Sequence, residues 1–350
     1  MNTLKLDQPI IDTRKNLKRI TDKLTRSGID FQDFITFVQS DTPRKVVLLI
    51  GGNQISGSLS PFIHNYSARD NSIPLNYVLL NLEEAPYSIT EILEYIEKSE
   101  NILGANITMP YKIEVYNELK KAGKLDTSAI IAGSVNTLYK DNEGQLRGMN
   151  TDIDGIVNPI APSIMKYGID NAVILGGGGA SRAVIIGLLQ LGIRKISIYN
   201  RSLENIDSFI KTIQDHGDIL NISEGFNINT HEYDVTNDIL ADVSIDKKSI
   251  LINTLPFGFK ENLPKIPIRE SILSKYSEKI KIIFDIAYSL EQIDTPLLQY
   301  IKTNYPDIET YDGIDMLVEQ AKKGFTAWTH GGNINAVVMK IILKNTITIY

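Results

Sequence analysis

Short apolar runs alternate with stretches of helical periodicity along most of the chain. The runs at 45–50, 173–175, 249–252 and 281–285 are rich in Val, Ile and Leu, and each ends in or is followed by a polar or glycine residue. Runs of this length and composition are typical of buried strands. The stretch at 183–191 is longer and apolar, as expected of a helix packed against such strands. Strands and helices in alternation predict an α/β protein built on parallel sheets.

Other segments of the chain depart from this alternation. Residues 134–149 alternate polar and apolar positions around the turn 141–144, which predicts a β-hairpin. Residues 88–98 have helical spacing. Residues 214–230 are polar and rich in asparagine, which predicts a helix end followed by a loop.

Both ends of the chain are predicted to be helical. Leu17, Ile20 and Leu24 lie at helical spacing within residues 1–44, which predicts one or two amphipathic helices. These residues carry no recognisable chemistry, so we expect them to serve packing or oligomerisation. The chain from Gly313 onward is predicted to be a helix with most of its apolar positions on one core-facing side.

A glycine-rich turn lies between a predicted strand and a predicted helix. Gly176 and Gly178 fit the first two positions of the dinucleotide pattern G-x-G-x-x-G/A, and Ser181 stands at the third. The helix after the turn would direct its N-terminal amides and positive dipole end at a phosphate. The next strand ends at Asn200, where a dinucleotide fold reads the ribose. Arg201 can pair there with a 2′-phosphate, which favours NADP over NAD, and an ordinary cofactor-free turn is the alternative.

A second candidate site follows the first predicted strand. Ser58 and Ser60 lie two residues apart, and an extended segment would aim both hydroxyls at the same side. Ser60 followed by Pro61 also predicts a helix N-cap and first helical residue. Together the two hydroxyls predict a small anion site suited to a carboxylate, although capping alone would account for Ser60.

A lysine at the start of a predicted helix is a third candidate. We expect a strand to end at Met109 and a helix to start at Pro110, which places Lys112 in the first helical turn. A cation there meets the positive end of the helix dipole, so the placement indicates function rather than stability. A solvated surface charge is the alternative interpretation of Lys112.

Asp152 is the candidate partner of this lysine. The hairpin strands would bring Asn136 near Asn150, Thr151 and Asp152. A carboxylate beside a lysine is the pair that proton transfer to a carbonyl oxygen requires. Asp152 also fits the N-cap of the helix that runs through Ile156, which is its structural alternative.

Composition narrows the classes of function. The chain has 350 residues, 43% of them apolar and 22% charged, which predicts about two domains of an ordinary globular protein. A net charge of −6 without a dense basic block argues against nucleic-acid binding. The absence of cysteine excludes disulfides and thiolate chemistry, and the four scattered histidines have no metal-ligand spacing, so no metal site is expected. No signal-peptide or membrane-spanning run is found, which predicts a cytoplasmic location.

A series of short motifs follows in order along residues 46–340. They are Ser58-Leu-Ser-Pro61, Gly104-Ala-Asn-Ile-Thr-Met-Pro-Tyr-Lys112, Ser134-Val-Asn-Thr137, Gly148-Met-Asn-Thr-Asp152, the turn at 176–183, Asn200-Arg201-Ser202, Asn253-Thr-Leu-Pro-Phe-Gly258, Asp285-Ile-Ala-Tyr288 with Thr295-Pro-Leu-Leu298, and Gly313-Ile-Asp-Met-Leu-Val-Glu-Gln320. In this order the motifs resemble those of the shikimate dehydrogenase family.

The resemblance implies an architecture and an activity. It implies an α/β substrate-binding domain at 45–152 and 315–350, a Rossmann-type dinucleotide-binding domain at 153–314, and a C-terminal helix that returns to the first domain. Residues 1–44 are then an N-terminal extension of unknown role. The implied reaction is the reversible NADPH-dependent reduction of 3-dehydroshikimate to shikimate in aromatic amino-acid (chorismate) biosynthesis. We expect a monomer or homodimer that acts on small molecules.

The resemblance also implies roles for residues at matching positions. The catalytic pair is Lys112 and Asp152. Substrate contacts are expected from Ser58, Ser60, Asn106, Thr108, Asn136, Tyr288 and Gln320. Dinucleotide contacts are expected from Gly176, Gly177, Gly178, Gly179, Ala180, Asn200, Arg201, Ser202, Asn253, Thr254 and Gly313.

Several positions depart from the family pattern. Gly57 stands where histidine is common, and Phe259 replaces a methionine. Asn205 stands where NADP-dependent members often carry a second arginine, and Glu204 lies beside it. One cation therefore remains for a 2′-phosphate, which leaves an NAD-linked quinate/shikimate dehydrogenase as an alternative. A non-catalytic ligand-binding homologue is a separate alternative, against which the presence of Lys112 and Asp152 argues. Thr108 favours shikimate as the substrate.

Overall fold

The computed structural model divides into two compact units. Unit 1 comprises Met1–Thr151 and Gln320–Ile349, and unit 2 comprises Asp152–Glu319. The structure describes residues 10–11, 44–85, 87–215, 225–232, 245, 247–255, 266–288 and 294–347. Residues 1–9 and 12–43, in which the N-terminal helices are predicted, lie outside the described residues, as does most of the loop after Thr254.

Unit 1 is built on a six-stranded mixed sheet in the order β1-β3-β2-β4-β5-β6. Its strands are β1 (Ile10–Ile11), β2 (Lys45–Gly51), β3 (Leu75–Asn81), β4 (Ile102–Ile107), β5 (Thr137–Lys140) and β6 (Leu146–Met149). Strand β2 pairs in parallel with β3 and β4, whereas β4, β5 and β6 pair antiparallel. The predicted hairpin is confirmed as β5 and β6.

The helices of unit 1 connect and cover these strands. Those described before residue 152 are α1 (Ser60–Asp70), α2 (Ile89–Lys98), α3 (Lys112–Lys121) and α4 (Thr127–Ala132), with a short 3-10 helix at Asn53–Gly57. Helix α2 begins where predicted, because Ser88 and Glu91 form a capping box. The Ser88 hydroxyl accepts from the Glu91 backbone N–H at 3.3 Å, and the Glu91 carboxylate accepts from the Ser88 N–H at 2.8 Å.

Unit 2 is built on a six-stranded sheet whose strands all pair in parallel. The strands are β7 (Asn171–Leu175), β8 (Lys195–Asn200), β9 (Asn227–Glu232), β10 (Ser249–Asn253), β11 (Ile280–Asp285) and β12 (Glu309–Asp312). They lie in the order β12-β11-β10-β7-β8-β9. Counted from β7, this is the 3-2-1-4-5-6 order of Rossmann folds, in which ligands bind where the order reverses, between β7 and β10. The predicted α/β class is confirmed.

Five helices are described in unit 2 before β12, of which the first leads into β7 and the other four connect its strands. They are α5 (Asp152–Tyr167), α6 (Gly179–Gln190), α7 (Glu204–Asp215), α8 (Glu270–Tyr276) and α9 (Pro296–Asn304). The predicted loop at 214–230 is wrong in its last part, because residues 227–230 belong to strand β9. Hydrogen bonding to β8 imposes that strand on a polar segment, and the His231 ring stacks on Tyr199 at 4.6 Å.

The last two helices are α10 (Gly313–Thr329) and α11 (Ala336–Ile347). From Gln320 onward they belong to unit 1, so the chain returns to its first sheet. Trp328 is buried there, and its Nε1 donates to the Leu138 carbonyl oxygen at 2.7 Å. A Cβ at Gly104 would overlap both this oxygen and the Trp328 ring, so only glycine fits at that point of β4. None of the helices in the described ranges is long and apolar enough to cross a membrane.

Candidate active site

Ser58 and Ser60 lie at the N-terminus of helix α1. The helix begins at Ser60, and Leu59 before it is already helical, with φ −81° and ψ −13°. The prediction that Ser60 is the N-cap is therefore wrong, and of residues 58–60 only Ser58 is extended, with φ −69° and ψ 139°. Leu59 is the N-cap and makes no side-chain capping bond, while the Ser58 Oγ accepts from the Ser60 N–H at 3.1 Å. The two side chains share one helix terminus, and their binding of a carboxylate stays a prediction.

Lys112 is the first residue of helix α3 and is half-buried. The predicted helix start at Pro110 and strand end at Met109 are both wrong. Strand β4 ends at Ile107, and residues 108–111 form a turn in which the Thr108 carbonyl accepts from the Tyr111 N–H at 3.0 Å. The prediction that the lysine lies in the first helical turn is confirmed, so the residue stands at the positive end of the helix dipole.

Three predicted substrate ligands share one hydrogen-bond network in unit 1. Asn106 Nδ2 donates to Thr137 Oγ1 at 3.0 Å, and Thr137 Oγ1 donates to Asn136 Oδ1 at 3.0 Å. Asn136 Nδ2 then donates to Gln320 Oε1 at 3.3 Å. Tyr77 joins the network by donating its hydroxyl hydrogen to Asn106 Oδ1 at 2.6 Å. The sequence does not predict this contact, because the place of Tyr77 in an apolar strand indicates only burial.

The chain around Asp152 is anchored to the same network. The Thr151 N–H donates to Asn136 Oδ1 at 2.8 Å, which confirms that the hairpin brings these segments together. Asp152 is buried and is the first residue of helix α5, where the dipole favours a carboxylate. Lys112 belongs to unit 1 and Asp152 to unit 2, and their catalytic pairing stays a prediction.

The glycine turn of unit 2 has the form that a dinucleotide needs. Gly176 has φ +102°, and a Cβ there would overlap Thr254 Oγ1, so the position requires glycine. Gly178 is the N-cap of α6 and Gly179 its first residue. A Cβ at either position would meet no described atom within 4 Å. Among the described residues, the space beside these two positions at the helix N-terminus is therefore open, and a pyrophosphate contact there stays a prediction.

The end of strand β8 is tied to this turn by Asn200. Its Oδ1 accepts from the Gly177 N–H at 3.0 Å, and its Nδ2 donates to the Ser202 carbonyl at 2.6 Å. Arg201, between them in sequence, is exposed. The end of strand β8 and the glycine turn are thus held together, and the exposed Arg201 directly follows Asn200; its contact with a 2′-phosphate stays a prediction.

A buried carboxyl lies at the carboxyl edge of the same sheet. Asp285 accepts from Asn253 Nδ2 at 2.9 Å and from Thr295 Oγ1 at 2.6 Å, and the Ala287 N–H donates to it at 3.3 Å. Burial raises the pKa of Asp285 to about 6, while these hydrogen bonds act to lower it. The neighbouring strand contributes Asp312, whose charge also raises this pKa.

The loops after these strands hold the remaining predicted residues. The Asn253 side chain is turned to Asp285 and Leu255, so it shapes the loop, and its contact with a dinucleotide stays a prediction. A Cβ at Gly313 would overlap the Ile286 carbonyl oxygen. Tyr288 is half-buried, and burial raises the pKa of its phenol, which therefore remains a donor at neutral pH. Ala180 follows Gly179 in the first turn of α6.

Known proteins resemble this chain over most of its length. The family described as "Shikimate dehydrogenase substrate binding domain" matches residues 50–138. A "Shikimate dehydrogenase (NADP(+))" from Methanocaldococcus jannaschii is 31% identical over 304 residues, which are 87% of this chain and 98% of that protein.

Solved structures extend the likeness to the fold. A crystal structure of a shikimate dehydrogenase in complex with NADP+ is 28% identical, with a TM-score of 0.65, over 87% of this chain and 96% of that one. A quinate dehydrogenase from Corynebacterium glutamicum in complex with NAD has a TM-score of 0.69 at 20% identity, over 85% and 98% of the two chains. At that identity the second structure supports the fold alone. The sequence likeness to the M. jannaschii enzyme spans both units, and the chain belongs to the shikimate dehydrogenase family.

Proposed function

We propose that this protein catalyses the reversible reduction of 3-dehydroshikimate to shikimate, with NADPH as the electron donor. The proposal rests chiefly on the likeness to NADP-dependent shikimate dehydrogenases over 95–98% of their length. The position of Lys112 at a helix N-terminus supports it, because a cation there is unfavourable for stability. The pathway proposed for this reaction is the biosynthesis of aromatic amino acids.

Unit 1 would hold the substrate. The hydroxyls of Ser58 and Ser60 lie at the N-terminus of α1, where the helix dipole favours a carboxylate. The amides of Asn106, Asn136 and Gln320 would contact ring hydroxyls. Thr108, in the turn before α3, and Tyr288 of unit 2 would complete the set of polar contacts.

Lys112 would act as the general acid in the reduction direction. Its ammonium would donate a proton to the carbonyl oxygen while the carbonyl carbon is reduced, and Asp152 would orient both the lysine and the product hydroxyl. NADPH, when bound, supplies the hydride for that carbon. In the oxidation direction the same lysine would act as the base.

Unit 2 would hold the dinucleotide. The N-terminus of α6 would bind a pyrophosphate, and Gly176 and Gly177 would let the backbone approach it. Arg201 would pair with the 2′-phosphate from the end of β8. Glu204, the first residue of α7, is an exposed carboxylate three residues further on, and it would favour the unphosphorylated ribose of NAD. Because Arg201 can pair with the 2′-phosphate, NADP is the proposed cofactor. NAD is the alternative, and kinetic assays with both cofactors distinguish them.

We also propose that the enzyme acts in the cytoplasm as a monomer or homodimer and without nucleic acid. The lack of cysteine and the net charge of −6 support this. Light scattering on the eluate of a gel-filtration column would give the mass of the particle. A particle larger than a dimer, or one that carries nucleic acid, would contradict the proposal.

The activity is tested with purified protein in four assays that combine shikimate or quinate with NADP or NAD. We expect the highest kcat/KM with shikimate and NADP. Replacing Lys112 by alanine should lower kcat by about 10²–10⁴-fold and change KM less. Lys121→Ala is the matched control, since this exposed lysine on the same helix pairs with Glu118. An unchanged kcat in Lys112→Ala would exclude the lysine from the mechanism.

The cofactor is tested with Arg201→Ala. Loss of a charged hydrogen bond to the 2′-phosphate should raise KM for NADP about 10- to 100-fold and leave KM for NAD nearly unchanged. Lys195→Ala removes a cation from the opposite end of the same strand and should change neither value. Equal effects of Arg201→Ala on both cofactors would contradict the proposed phosphate contact.

A further inference from the structure

We propose that Tyr77 is a positioning residue of the substrate site, whose hydroxyl holds the Asn106 amide in the orientation that accepts a hydrogen bond from a substrate hydroxyl. The inference rests on the proposed function, because it concerns the same site. Tyr77 lies on β3, in the interior of the unit 1 sheet.

A backbone contact identifies which atom of the Asn106 amide is nitrogen and which is oxygen. Its NH2 group lies 3.2 Å from the carbonyl oxygen of Asn136, which can only accept. The atom at that position must therefore be Nδ2, and the opposite atom, facing Tyr77, must be Oδ1. The phenol must then be the donor in the 2.6 Å contact.

The Asn136 amide is oriented by a backbone contact of the opposite kind. The Thr151 N–H, which can only donate, lies 2.8 Å from Asn136 Oδ1. Asn136 Nδ2 is consequently the atom that faces Gln320, which must present Oε1. The hydrogen bonds thus run in one direction, from Tyr77 through Asn106 and onward to Gln320.

This direction determines what each amide can offer a ligand. Both hydrogens of Asn106 Nδ2 are directed at partners, namely the Asn136 carbonyl and Thr137 Oγ1. Asn106 Oδ1 receives one hydrogen from Tyr77 and has a second lone pair. Asn106 would therefore accept from a substrate hydroxyl. Gln320, with Oε1 turned to Asn136, would present its NH2 group as a donor.

The surroundings of Tyr77 hold its ring rigidly. The His64 ring stacks on it at 4.4 Å and the Trp328 ring lies at 6.0 Å. Burial lowers the pKa of His64 to about 3, so His64 is a neutral aromatic partner at physiological pH. A buried ring with its hydroxyl at the edge of the site is suited to orienting a neighbour.

The test compares Tyr77→Phe with Tyr139→Phe. Tyr139 lies on β5 of the same sheet and donates its hydroxyl hydrogen to Asp126 at 2.9 Å, so its replacement removes a similar bond at a position outside the proposed site. We expect Tyr77→Phe to raise KM for shikimate about tenfold, with kcat and KM for NADP within about twofold of the parent. The dissociation constant for shikimate, measured by calorimetry without cofactor, should rise equally. Tyr139→Phe should change none of these values.

A second comparison separates positioning from general support of the fold. In an Asn106→Ala background, Tyr77→Phe should raise KM less than about twofold, because the amide on which it acts is gone. A full tenfold effect in that background would overturn the proposal, as would equal KM values for the two phenylalanine variants. A melting temperature of Tyr77→Phe more than about 10 °C below that of Tyr139→Phe would also overturn it, because the hydroxyl would then serve the core. If the parent protein did not turn over shikimate at all, the proposed function itself would be refuted, and this inference with it.

Discussion

Replacing Asp285 by asparagine should change how the stability of unit 2 depends on pH. The pKa of the buried carboxyl is about 6, raised from 3.8 chiefly by burial. A group that binds its proton more tightly in the folded state stabilises the fold most at low pH, and this stabilisation is lost as the pH rises through about 6. At about 1.4 kcal/mol per pH unit between the two pKa values, the loss is about 3 kcal/mol from roughly pH 4 to pH 8.

Asparagine at this position stays neutral at every pH, so the variant does not lose this stabilisation as the pH rises. Its oxygen can still accept from Asn253, and its NH2 group can donate to the Thr295 hydroxyl oxygen. The free energy of unfolding of Asp285→Asn, relative to the parent protein, should therefore rise by about 3 kcal/mol from roughly pH 4 to pH 8.

Urea unfolding followed by far-UV circular dichroism, which reports on both units, measures this difference. Trp328 is the only tryptophan of the chain and lies in unit 1, so its fluorescence identifies the transition of that unit. The remaining transition belongs to unit 2. Asp170→Asn is the matched control, because Asp170 forms an exposed ion pair with Lys247, and its loss should cost less than about 1 kcal/mol at every pH.

A constant difference between Asp285→Asn and the parent from roughly pH 4 to pH 8 would refute the reasoning. A difference that changes in the opposite direction would refute it more sharply. It would mean that the hydrogen bonds from Asn253, Thr295 and the Ala287 N–H outweigh the cost of burying the charge.

Three further substitutions test the packing of the fold by urea unfolding. Gly313→Ala should destabilise the protein by about 1–3 kcal/mol, because its Cβ overlaps a backbone carbonyl, whereas Gly179→Ala, also at a first helical residue, should cost less than about 1 kcal/mol. Equal costs would contradict the overlap. Trp328→Phe should cost about 1–3 kcal/mol, since the Leu138 carbonyl loses its donor, and a neutral result would show that this oxygen finds another. Ser88→Ala should cost about 1 kcal/mol through the lost helix cap, and Ser88→Gly, which suits an N-cap, should cost less.

The parts of the fold that follow from local physics could be predicted from the sequence. The apolar run at 45–50 and the hairpin around 141–144 form where predicted, because each is bounded by residues that stop or turn the backbone. Strand β9 could not be predicted, since its residues 227–232 are polar and only pairing with β8 makes them extended. The error at Pro110 has a similar cause, because a hydrogen-bonded turn at 108–111 delays the helix.

The candidate site shows the same limit. The motif residues Lys112, Asn136 and Asp152 could be selected from spacing and chemistry alone. The link between Tyr77 and Asn106 could not, because it joins residues on different strands that no local pattern connects. The start of helix α1 at Ser60 rather than at Pro61 depends on the backbone angles of Leu59, which the sequence does not reveal.

The return of the last helices to the first sheet imposes an order on the folding of this protein during its synthesis. Residues 152–319 form a continuous unit that can fold as soon as it leaves the ribosome, whereas unit 1 waits for residues 320–349. Until Trp328 emerges, the Leu138 carbonyl lacks its indole donor, and the surface around Gly104 is uncovered. The half of the molecule that is translated first is therefore the half that is completed last, and a chain that terminates early leaves its first sheet open to chaperones and proteases.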